Sequence, residues 1–419
     1  MKILWFSNTP CSSSEKLTPG LNIGGWLSSL EKVLSKNAEI ELHISFYYSQ
    51  KIKPFDYNNT HFFPIYRKNS GSKISRFITR LLNKEHNDKA EIKKLLSVIE
   101  LVKPDLIHVH GTEENFGLIQ HYIDLPVVIS IQGIRSVIFE KYHSGISYSI
   151  AKKYESFKNK ILVKSTRYNY NQCQIGGQRE RKILMITKNI IGRTDWDRRV
   201  TNVLAPNSRY YTGQEMLRES FYPNEWNKLK FNSITRIVTV LNNGIYKGFE
   251  VIVKAANILL AYPNFDFEWL VIGLNENSET AVLVRNWLEI DFDRSNIQLL
   301  GSKSEEEVVK LLLSSDIYCQ VSHIENSPNS LCEAMILGMP IIATYAGGTN
   351  SMLENSKEGI LVQDGDPYSL SGAILELSND FKKATEYAQA ARLHAIVRHD
   401  KEKISSDLFH LYQSIINKI

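Results

Sequence analysis

The stretch from residue 322 to 348, S-H-I-E-N-S-P-N-S-L-C-E-A-M-I-L-G-M-P-I-I-A-T-Y-A-G-G, constrains the fold of this chain more than any other. Polar turn formers lead into an apolar helix that we expect to begin near Ser330 and to end at Gly338. The run from Pro340 to Thr344 is typical of a buried strand. In α/β sheets such a loop and helix start bind phosphate, because backbone N–H groups and the helix dipole point at the anion. The stretch therefore predicts an α/β fold with an anion site.

Two carboxylates, Glu325 and Glu333, flank the predicted helix start with seven residues between them. Acids beside an anion site need another role, and hydrogen bonding to sugar hydroxyls suits them. The alternative is a surface loop followed by an ordinary core helix, with two solvated acids. The spacing alone leaves both interpretations open.

The motif P-N-S-L-C-E-A-M-x-x-G-x-P-I-I-A-T, with G-G after it, is similar to the signature of the family 4 glycosyltransferases. These enzymes are retaining, use nucleotide sugars and have the GT-B fold. The resemblance implies an α/β protein of two doubly wound, Rossmann-like domains that face each other across a cleft. It places Glu325 at the transferred sugar and Glu333 at the ribose of the nucleotide. It also places Asn329 and the backbone of Ser330 and Leu331 at the diphosphate.

The segment N-N-G-I-Y-K-G, residues 242–248, resembles the family segment in which an arginine and a lysine clamp the diphosphate. Lys247 matches the lysine, whereas Asn242 stands at the position of the arginine. Because a cation stabilises the charge that builds as the sugar bond breaks, Lys247 and Glu325 are the predicted catalytic residues. By itself, Lys247 is also compatible with a solvated lysine after a turn. The resemblance further places Leu300 beside the nucleotide base.

A glycine pair, Gly24 and Gly25, opens a helix-like run near the start of the chain. The pattern is not G-x-G-x-x-G, so hydride transfer with a dinucleotide loses its main support. The resemblance places the pair across the cleft from the diphosphate. The alternative is a plain helix start.

Three polar residues end strand-like runs in the first half of the chain, and we expect His110, Gln132 and Arg193 to line a sugar or acceptor cleft. His108 and His110 share one strand face, but no third metal ligand is near them. Gln132 stands where the family commonly has a histidine that contacts the sugar, and an amide cannot take a proton. Arg193 is either a cation of the site or the partner of Asp197 at a helix start.

The β/α alternation restarts near residue 234, which predicts two domains. We expect residues 1–228 to form an acceptor-side domain and residues 229–403 to form the donor-binding domain. The resemblance implies that the last helix, residues 404–419, crosses back to the first domain. Residues 223–232 are the predicted linker.

Composition and charge bear on location and partners. The chain is 43% hydrophobic, as in globular proteins, and its four cysteines show no paired spacing. Only four apolar residues lie between Lys2 and Ser7, too few for a secretion signal, so we expect a cytoplasmic protein. Residues 150–200 hold 13 Lys and Arg against 4 Asp and Glu. A basic helix at residues 73–84 can lie on the inner face of an anionic membrane, or can pack on its own sheet.

The resulting functional hypothesis is a retaining hexosyltransferase. It moves a sugar from a UDP- or GDP-sugar to a hydroxyl of a glycan or lipid-linked acceptor, as in surface polysaccharide biosynthesis. The alternative is a catalytically silent nucleotide-sugar-binding subunit, because Asn242 and Gln132 depart from the family pattern. No cofactor, metal or nucleic acid partner is expected. The D-F-D run at residues 291–293 is the nearest approach to a D-x-D metal motif, and it lies beside a helix.

Overall fold

The computed structural model describes residues 1–17, 25–67, 88–156, 159 and 165–417 of the chain. These residues form two compact units. Unit 1 comprises Met1–Phe139, Asn171–Arg218 and His399–Ile419, and unit 2 comprises Glu140–Tyr170 and Glu219–Arg398. The predicted basic helix at residues 73–84 lies outside the described residues.

Unit 1 contains an eight-stranded sheet with the order β3-β4-β2-β1-β5-β6-β7-β8. Its strands are parallel except that β3 runs antiparallel to β4. The strands are β1 (Lys2–Ser7), β2 (Glu41–Tyr48), β3 (Phe55–Tyr57), β4 (Thr60–Tyr66), β5 (Leu106–His110), β6 (Val127–Ser130), β7 (Asn189–Gly192) and β8 (Arg209–Thr212).

Unit 2 contains a six-stranded parallel sheet with the order β11-β10-β9-β12-β13-β14. Counted from β9, this is the order 3-2-1-4-5-6 of a doubly wound sheet, with its switch point between β9 and β12. The strands are β9 (Thr235–Val240), β10 (Phe267–Ile272), β11 (Ile297–Gly301), β12 (Ile317–Gln320), β13 (Ile341–Thr344) and β14 (Ile360–Val362).

Helices connect the strands of both units, as parallel sheets require. In chain order they are α1 (Ser14–Leu17), α2 (Gly25–Leu34), α3 (Asp88–Val102), α4 (Arg135–Lys141), α5 (Tyr148–Tyr154), α6 (Thr166–Met185), α7 (Asp195–Leu204), α8 (Phe249–Leu260), α9 (Glu279–Leu288), α10 (Glu305–Ser314), α11 (Asn329–Leu337), α12 (Pro367–Asn379), α13 (Phe381–Arg398) and α14 (Lys401–Ile416).

The central strands are buried on both faces, which explains their continuous apolar sequence. In β1, four consecutive residues from Ile3 to Phe6 have no exposed surface. In unit 2, Ile237 and Val238 of β9 and Trp269 of β10 are equally buried. The expected α/β architecture is confirmed, with a largely parallel sheet in unit 1 and a parallel sheet in unit 2.

The motif segment folds as its sequence predicts. Helix α11 begins one residue before the expected Ser330 and ends at Gly338, whose φ of 74° is left-handed. Strand β13 follows at once, at Ile341–Thr344, and is fully buried. The segment therefore places a helix start between two buried strands, β12 and β13.

Residues 140–170, which the expected division put in the first domain, pack in unit 2. Helix α5 lies against α9. Gly145 lies so close to the side chains of Glu250 and His323 that a Cβ there would overlap both. Long-range contacts of this kind leave no local pattern, so the sequence could not reveal them.

The predicted linker is also anchored to unit 2. The indole Nε1 of Trp226 donates to the carbonyl of Ser315 at 2.8 Å, and its backbone N–H donates to that of Leu337 at 2.8 Å. Lys228 pairs with the buried Asp316 at 2.7 Å. Among the described residues, no helix is long and apolar enough to cross a bilayer.

Candidate functional site

A pocket lies in unit 2 at the carboxyl edge of the sheet, where β9 and β12 separate. Its volume of about 390 Å³ is in the range of small-molecule sites. We call it the switch-point pocket. Its lining residues come from the ends of β9 and β12, the loops that follow β9, β10, β11 and β12, and the start of α11: Thr239, Val240, Leu241, Asn242, Asn243, Lys247, Gly273, Ser302, Gln320, Val321, Ser322, Glu325, Pro328, Asn329 and Ser330.

Lys247 and Glu325, the two predicted catalytic residues, meet in this pocket. Their Nζ and Oε1 atoms lie 2.6 Å apart, and the side chains are only 16% and 13% exposed. The hydroxyl of Ser322 donates to the same Oε1 at 2.7 Å. An ammonium group has three N–H donors, so Lys247 can hold Glu325 and bind a further acceptor.

The charge of Lys247 is stabilised in place. Burial alone would lower the pKa of the ammonium group, but the neighbouring Glu325 and Tyr246 outweigh burial and raise that pKa. Lys247 is therefore a fixed cation at neutral pH, as the binding of a polyphosphate requires.

Two glycines allow the backbone of the site to close around this ion pair. Gly248 has a φ of 78°, and a Cβ there would overlap the carbonyl oxygen of Val321. Gly347, with a φ of 56°, approaches the carbonyl oxygen of Glu325 in the same way. The next residue, Gly348, donates its N–H to that carbonyl at 3.0 Å. The G-G pair of the motif thus holds the loop that carries Glu325.

The start of α11 faces the pocket through Asn329 and Ser330. The Oδ1 atom of Asn329 is buried and meets no hydrogen-bond donor among the described residues. Leu331 is different, because it is fully buried and its N–H already donates to the carbonyl of Pro328 at 3.0 Å. Of the predicted backbone donors, Ser330 lines the pocket and Leu331 does not.

Glu333 and Leu300 are also outside the lining of the switch-point pocket as the described residues define it. Glu333 is 3% exposed on α11. Burial and the negative charges of Glu325 and Glu333 raise the pKa of Tyr318. Leu300 lies in β11, half-buried. Their assignments to ribose and base stay predictions.

Gln320 was missed by the sequence interpretation. It ends β12, is 4% exposed and lines the pocket. Neither its Oε1 nor its Nε2 has a hydrogen-bond partner among the described residues. A buried amide without partners implies a ligand or water that completes its bonds. The available signal was a glutamine at the end of an otherwise apolar strand.

His323 is a second residue that the sequence interpretation missed, and its contacts hold together the segments beside the site. Its Nε2 lies 2.6 Å from Oε1 of Glu250, and its Nδ1 lies 3.4 Å from Asp364. Its backbone N–H donates to Tyr246 at 2.9 Å. Burial would lower the pKa of this imidazole, but the two carboxylates outweigh burial and raise it. No sequence signal predicts this pairing, because Glu250 is 73 positions away.

The three predicted residues of the first half end neighbouring strands of unit 1. His110 ends β5, Gln132 follows β6 and Arg193 follows β7. The guanidinium of Arg193 lies 4.5 Å from the ring centroid of Trp26, and its Nε lies 3.5 Å from Glu215. Arg193 also contacts Asp197, the other partner that the sequence suggested. In this contact the backbone N–H of Arg193 donates to the carboxylate of Asp197 at 2.9 Å.

His108 and His110 do not present a metal site. The hydroxyl of Tyr412 accepts from Nε1 of Trp5 at 3.0 Å and is hydrogen-bonded to Nδ1 of His108 at 2.6 Å. The other nitrogen of His108 bonds Ser130 at 2.6 Å. His110 is buried against Trp5, with ring centroids 4.4 Å apart. Burial, His108 and Arg193 together lower the pKa of His110 well below its ordinary value, so it is neutral.

Of the other predicted positions, Gly25 opens α2 with a φ of 55°, and Gly24 lies outside the described residues. The acids of the D-F-D run, Asp291 and Asp293, are exposed. Within the described part of unit 1, Glu41, His43 and His61 bring potential metal-ligand atoms within 4.8 Å of one another. They lie at the starts of β2 and β4, the sheet edge opposite to His110.

The two sheets and the switch-point pocket define the class of the protein. A doubly wound unit that presents a lysine and a helix start at its switch point binds phosphorylated ligands there. Two Rossmann-like units in one chain constitute the GT-B fold.

A match to a known family within unit 2 agrees with this class. Residues 224–394, which lie in unit 2, match the profile of the family described as Glycosyl transferases group 1. The matched region includes Lys247, Glu325 and Glu333.

Among curated proteins, the chain is similar to a D-inositol 3-phosphate glycosyltransferase of Corynebacterium urealyticum, with 28% identity over 40% of each chain. It is also similar to the amylovoran biosynthesis glycosyltransferase AmsK of Erwinia amylovora, with 29% identity over 38% of this chain and 39% of the relative. The alignments thus span about two fifths of the length of these relatives.

Solved structures resemble the whole fold. A sucrose-phosphate synthase from Thermosynechococcus elongatus superposes with a TM-score of 0.70 over 100% of both chains, at 14% identity. HepE of Anabaena, solved in complex with UDP and glucose, gives a TM-score of 0.63 over 99% of this chain and 100% of HepE, also at 14% identity. At this identity the likeness shows the GT-B fold.

Proposed function

We propose that the protein is a retaining hexosyltransferase that moves a sugar from a UDP- or GDP-sugar to a hydroxyl of a glycan or lipid-linked acceptor. The observation that carries this proposal is the Lys247–Glu325 pair, held at 2.6 Å in a pocket at the switch point of unit 2. The cation suits the diphosphate, and the carboxylate suits the hydroxyls of the transferred sugar.

Each lining group has a defined part in the proposed reaction. Lys247 stabilises the charge that develops on the leaving diphosphate. The helix start at Asn329 and Ser330 shares that charge through its dipole. Glu325 accepts hydrogen bonds from the sugar hydroxyls, and the free bonding capacity of Gln320 adds a donor and an acceptor. Glu333 is proposed to bind the ribose, which requires rearrangement of a residue now 3% exposed.

The proposal includes metal independence, because Lys247 and the helix start supply positive charge at the diphosphate. Transfer in the presence of excess chelator tests this point directly. The anomeric configuration of the product, read by NMR, tests retention. The relative AmsK, named for amylovoran biosynthesis, motivates a role in surface polysaccharide biosynthesis. Action at the inner face of the membrane is part of the same proposal.

A screen of nucleotide sugars by thermal shift identifies the donor, because a ligand at 100 times its dissociation constant adds about 2.7 kcal/mol of stability. The decisive experiment then measures release of nucleoside diphosphate from the bound donor. We expect slow release by the wild type and none by Glu325→Ala. Exposed Glu354→Ala is the matched control and should leave the rate unchanged.

A second candidate, a silent nucleotide-sugar-binding subunit, is favoured by Asn242. This residue lines the pocket at the position where the resemblance predicts an arginine. Donor binding without any release of diphosphate, across a panel of acceptors, would support this candidate and contradict the transferase.

A further inference from the structure

Five aromatic side chains form a continuous cluster in unit 2, which we call the aromatic shelf. Neighbouring rings have centroid distances of 5.0 to 6.1 Å, and every member is half-buried. The members are Tyr142, His143, Tyr148, Tyr170 and Tyr246. Half-exposed aromatic rings that gather at one place present apolar surface to water, which is typical of a binding surface.

The shelf adjoins the switch-point pocket. Tyr246 directly precedes Lys247, whose Nζ lies 5.4 Å from the centroid of the Tyr246 ring. The other four members belong to residues 140–170, the segment that packs on unit 2. The pairing of Tyr142 with Tyr246 at 6.1 Å joins this segment to the pocket. The shelf therefore continues the surface on which Lys247 and Glu325 lie.

One member of the shelf is fixed by a backbone contact. The Nδ1 atom of His143 lies 2.9 Å from the carbonyl of Ile146, so Nδ1 carries the proton and donates. Its Nε2 is then an acceptor that meets no donor among the described residues. Tyr148 and Tyr170 pack against this ring at 5.5 and 5.0 Å. The backbone thus fixes the ring of His143, on which Tyr148 and Tyr170 pack.

A second pocket, which we call the acidic pocket, lies under the edge of the shelf and includes Tyr142. Its volume is about 50 Å³, room for a few water-sized groups. Its described lining includes the carboxylates Glu155 and Glu279 and the amides Asn169 and Asn243, and it includes no lysine or arginine. Asn243 lines both pockets.

The described lining of the acidic pocket suits a neutral polyol better than a phosphate. Among the described lining residues the two carboxylates have no lysine or arginine beside them and so disfavour an anion, whereas carboxylates and amides accept and donate hydrogen bonds to hydroxyls. A pyranose has an apolar face of C–H groups that packs on aromatic rings. The small volume admits a hydroxyl or hydroxymethyl group while the ring lies over the tyrosines.

We propose that the aromatic shelf and the acidic pocket together bind a neutral sugar unit of the acceptor glycan. This assignment rests on the proposed transferase function and names the substrate class of its second site.

The test measures binding of simple neutral sugars to the full chain. The probes are the methyl glycosides of glucose, galactose, mannose and N-acetylglucosamine, with methyl glucuronide as the anionic counterpart. Saturation-transfer NMR from aromatic protein protons detects contact with the sugar C–H groups. UDP at saturation keeps the switch-point pocket filled. We expect at least one neutral glycoside to bind, and methyl glucuronide to bind at least about fivefold more weakly.

Variants assign the signal to the shelf. The double variant Tyr148→Ala and Tyr170→Ala should weaken binding about tenfold. The corresponding double Phe variant keeps the rings and should change binding less than twofold. Tyr368, which is 75% exposed on α12 of the same unit, supplies the matched control as Tyr368→Ala. Circular dichroism and thermal unfolding verify that each variant is folded.

The proposal is overturned if no neutral glycoside receives saturation, or if the folded double Ala variant binds as well as the wild type. If the double Ala variant does not fold, the double Phe variant decides. The proposal is then overturned if the folded double Phe variant loses binding. Failure of the transferase function gives a different result, because no nucleoside diphosphate is then released from the donor while the glycoside signal at the shelf persists.

Discussion

The carboxyl edges of the two sheets have the same strand topology and opposite chemistry. In both units the first strand has the second on one side and the fourth of its parallel series on the other, so each edge has a switch point. In unit 2 that edge holds an ion pair in a pocket of about 390 Å³. In unit 1 it holds packed rings, with His108 and His110 at 3.8 Å between centroids. Topology offers a site, and side chains decide which ligand it can take.

Protonation shows the same contrast. His323 of unit 2 has carboxylate partners on both nitrogens, which raise its pKa despite burial. His108 of unit 1 is buried between neutral groups, and burial with the positive charge of Arg193 lowers its pKa to about 3. One unit stabilises a charged imidazole and the other excludes it.

The largest expected effect tests whether the phosphate chemistry belongs to unit 2. Lys247→Met keeps the aliphatic stem and removes the cation. We expect diphosphate release from the donor to fall about 10² to 10³-fold, because the charge on the leaving group loses its stabilising partner. Kinetics of donor hydrolysis provide the measurement. Lys357→Ala, on an exposed lysine of the same unit, should leave the rate unchanged. An unaffected rate in Lys247→Met would contradict the assignment.

The second prediction concerns the loop that carries Glu325. Gly347→Ala places a Cβ against the carbonyl oxygen of Glu325 at a left-handed φ, so we expect a loss of about 2 kcal/mol in stability and weaker donor binding. Gly372 of α12 has open space around its Cα, and Gly372→Ala should add about 0.5–1 kcal/mol. Denaturant unfolding measures both. Equal effects of the two substitutions would show that the loop is not held as described.

The third prediction strengthens the pocket instead of weakening it. Asn242→Arg adds a cation to the lining of the switch-point pocket, and we expect the affinity for UDP to rise about tenfold at low salt. Isothermal titration measures the change. Asn379→Arg adds the same charge to the exposed end of α12 and should have little effect. Equal affinity of both variants for UDP would show that the added net charge changes binding and that the position of the arginine in the pocket does not.

The smallest expected effects are pH slopes of opposite sign in the two units. The folded pKa of His323 is raised, so its stabilising contribution is complete below about pH 6.5 and is lost as pH rises through the folded pKa. The folded pKa of His108 is lowered, so its unit loses up to about 1.4 kcal/mol per pH unit as pH falls from 6.5 toward 3.

Hydrogen exchange resolved by peptide reports the two units separately. We expect His323→Gln to reduce the alkaline slope of unit 2, and His108→Gln to reduce the acid slope of unit 1, to which the buried His110 also contributes. Each variant serves as the control for the other, because neither should alter the slope of the other unit. Slopes of equal sign in the two units would contradict the contrast.

The sequence predicts those parts of the fold and site that depend on neighbours along the chain. Helix α11 and strand β13 follow from Gly338 and the apolar run after it, and Lys247 and Glu325 follow from local motifs. The pairing of His323 with Glu250 does not, because it joins residues that only the folded sheet brings together. Gln320 looked like a strand residue, since its lack of partners is visible only in three dimensions. Residues 140–170 could not be assigned, because their contacts with unit 2 are all long-range.

The hydrogen bond between Trp5 and Tyr412 determines when unit 1 can be completed during synthesis. A ribosome releases β1 first, but the hydroxyl that satisfies Trp5 and His108 lies 407 residues later in the chain. All segments of unit 2 precede residue 399. All of unit 2 is therefore synthesised before unit 1 is complete. The core of unit 1 lacks α14 until that last helix leaves the ribosome.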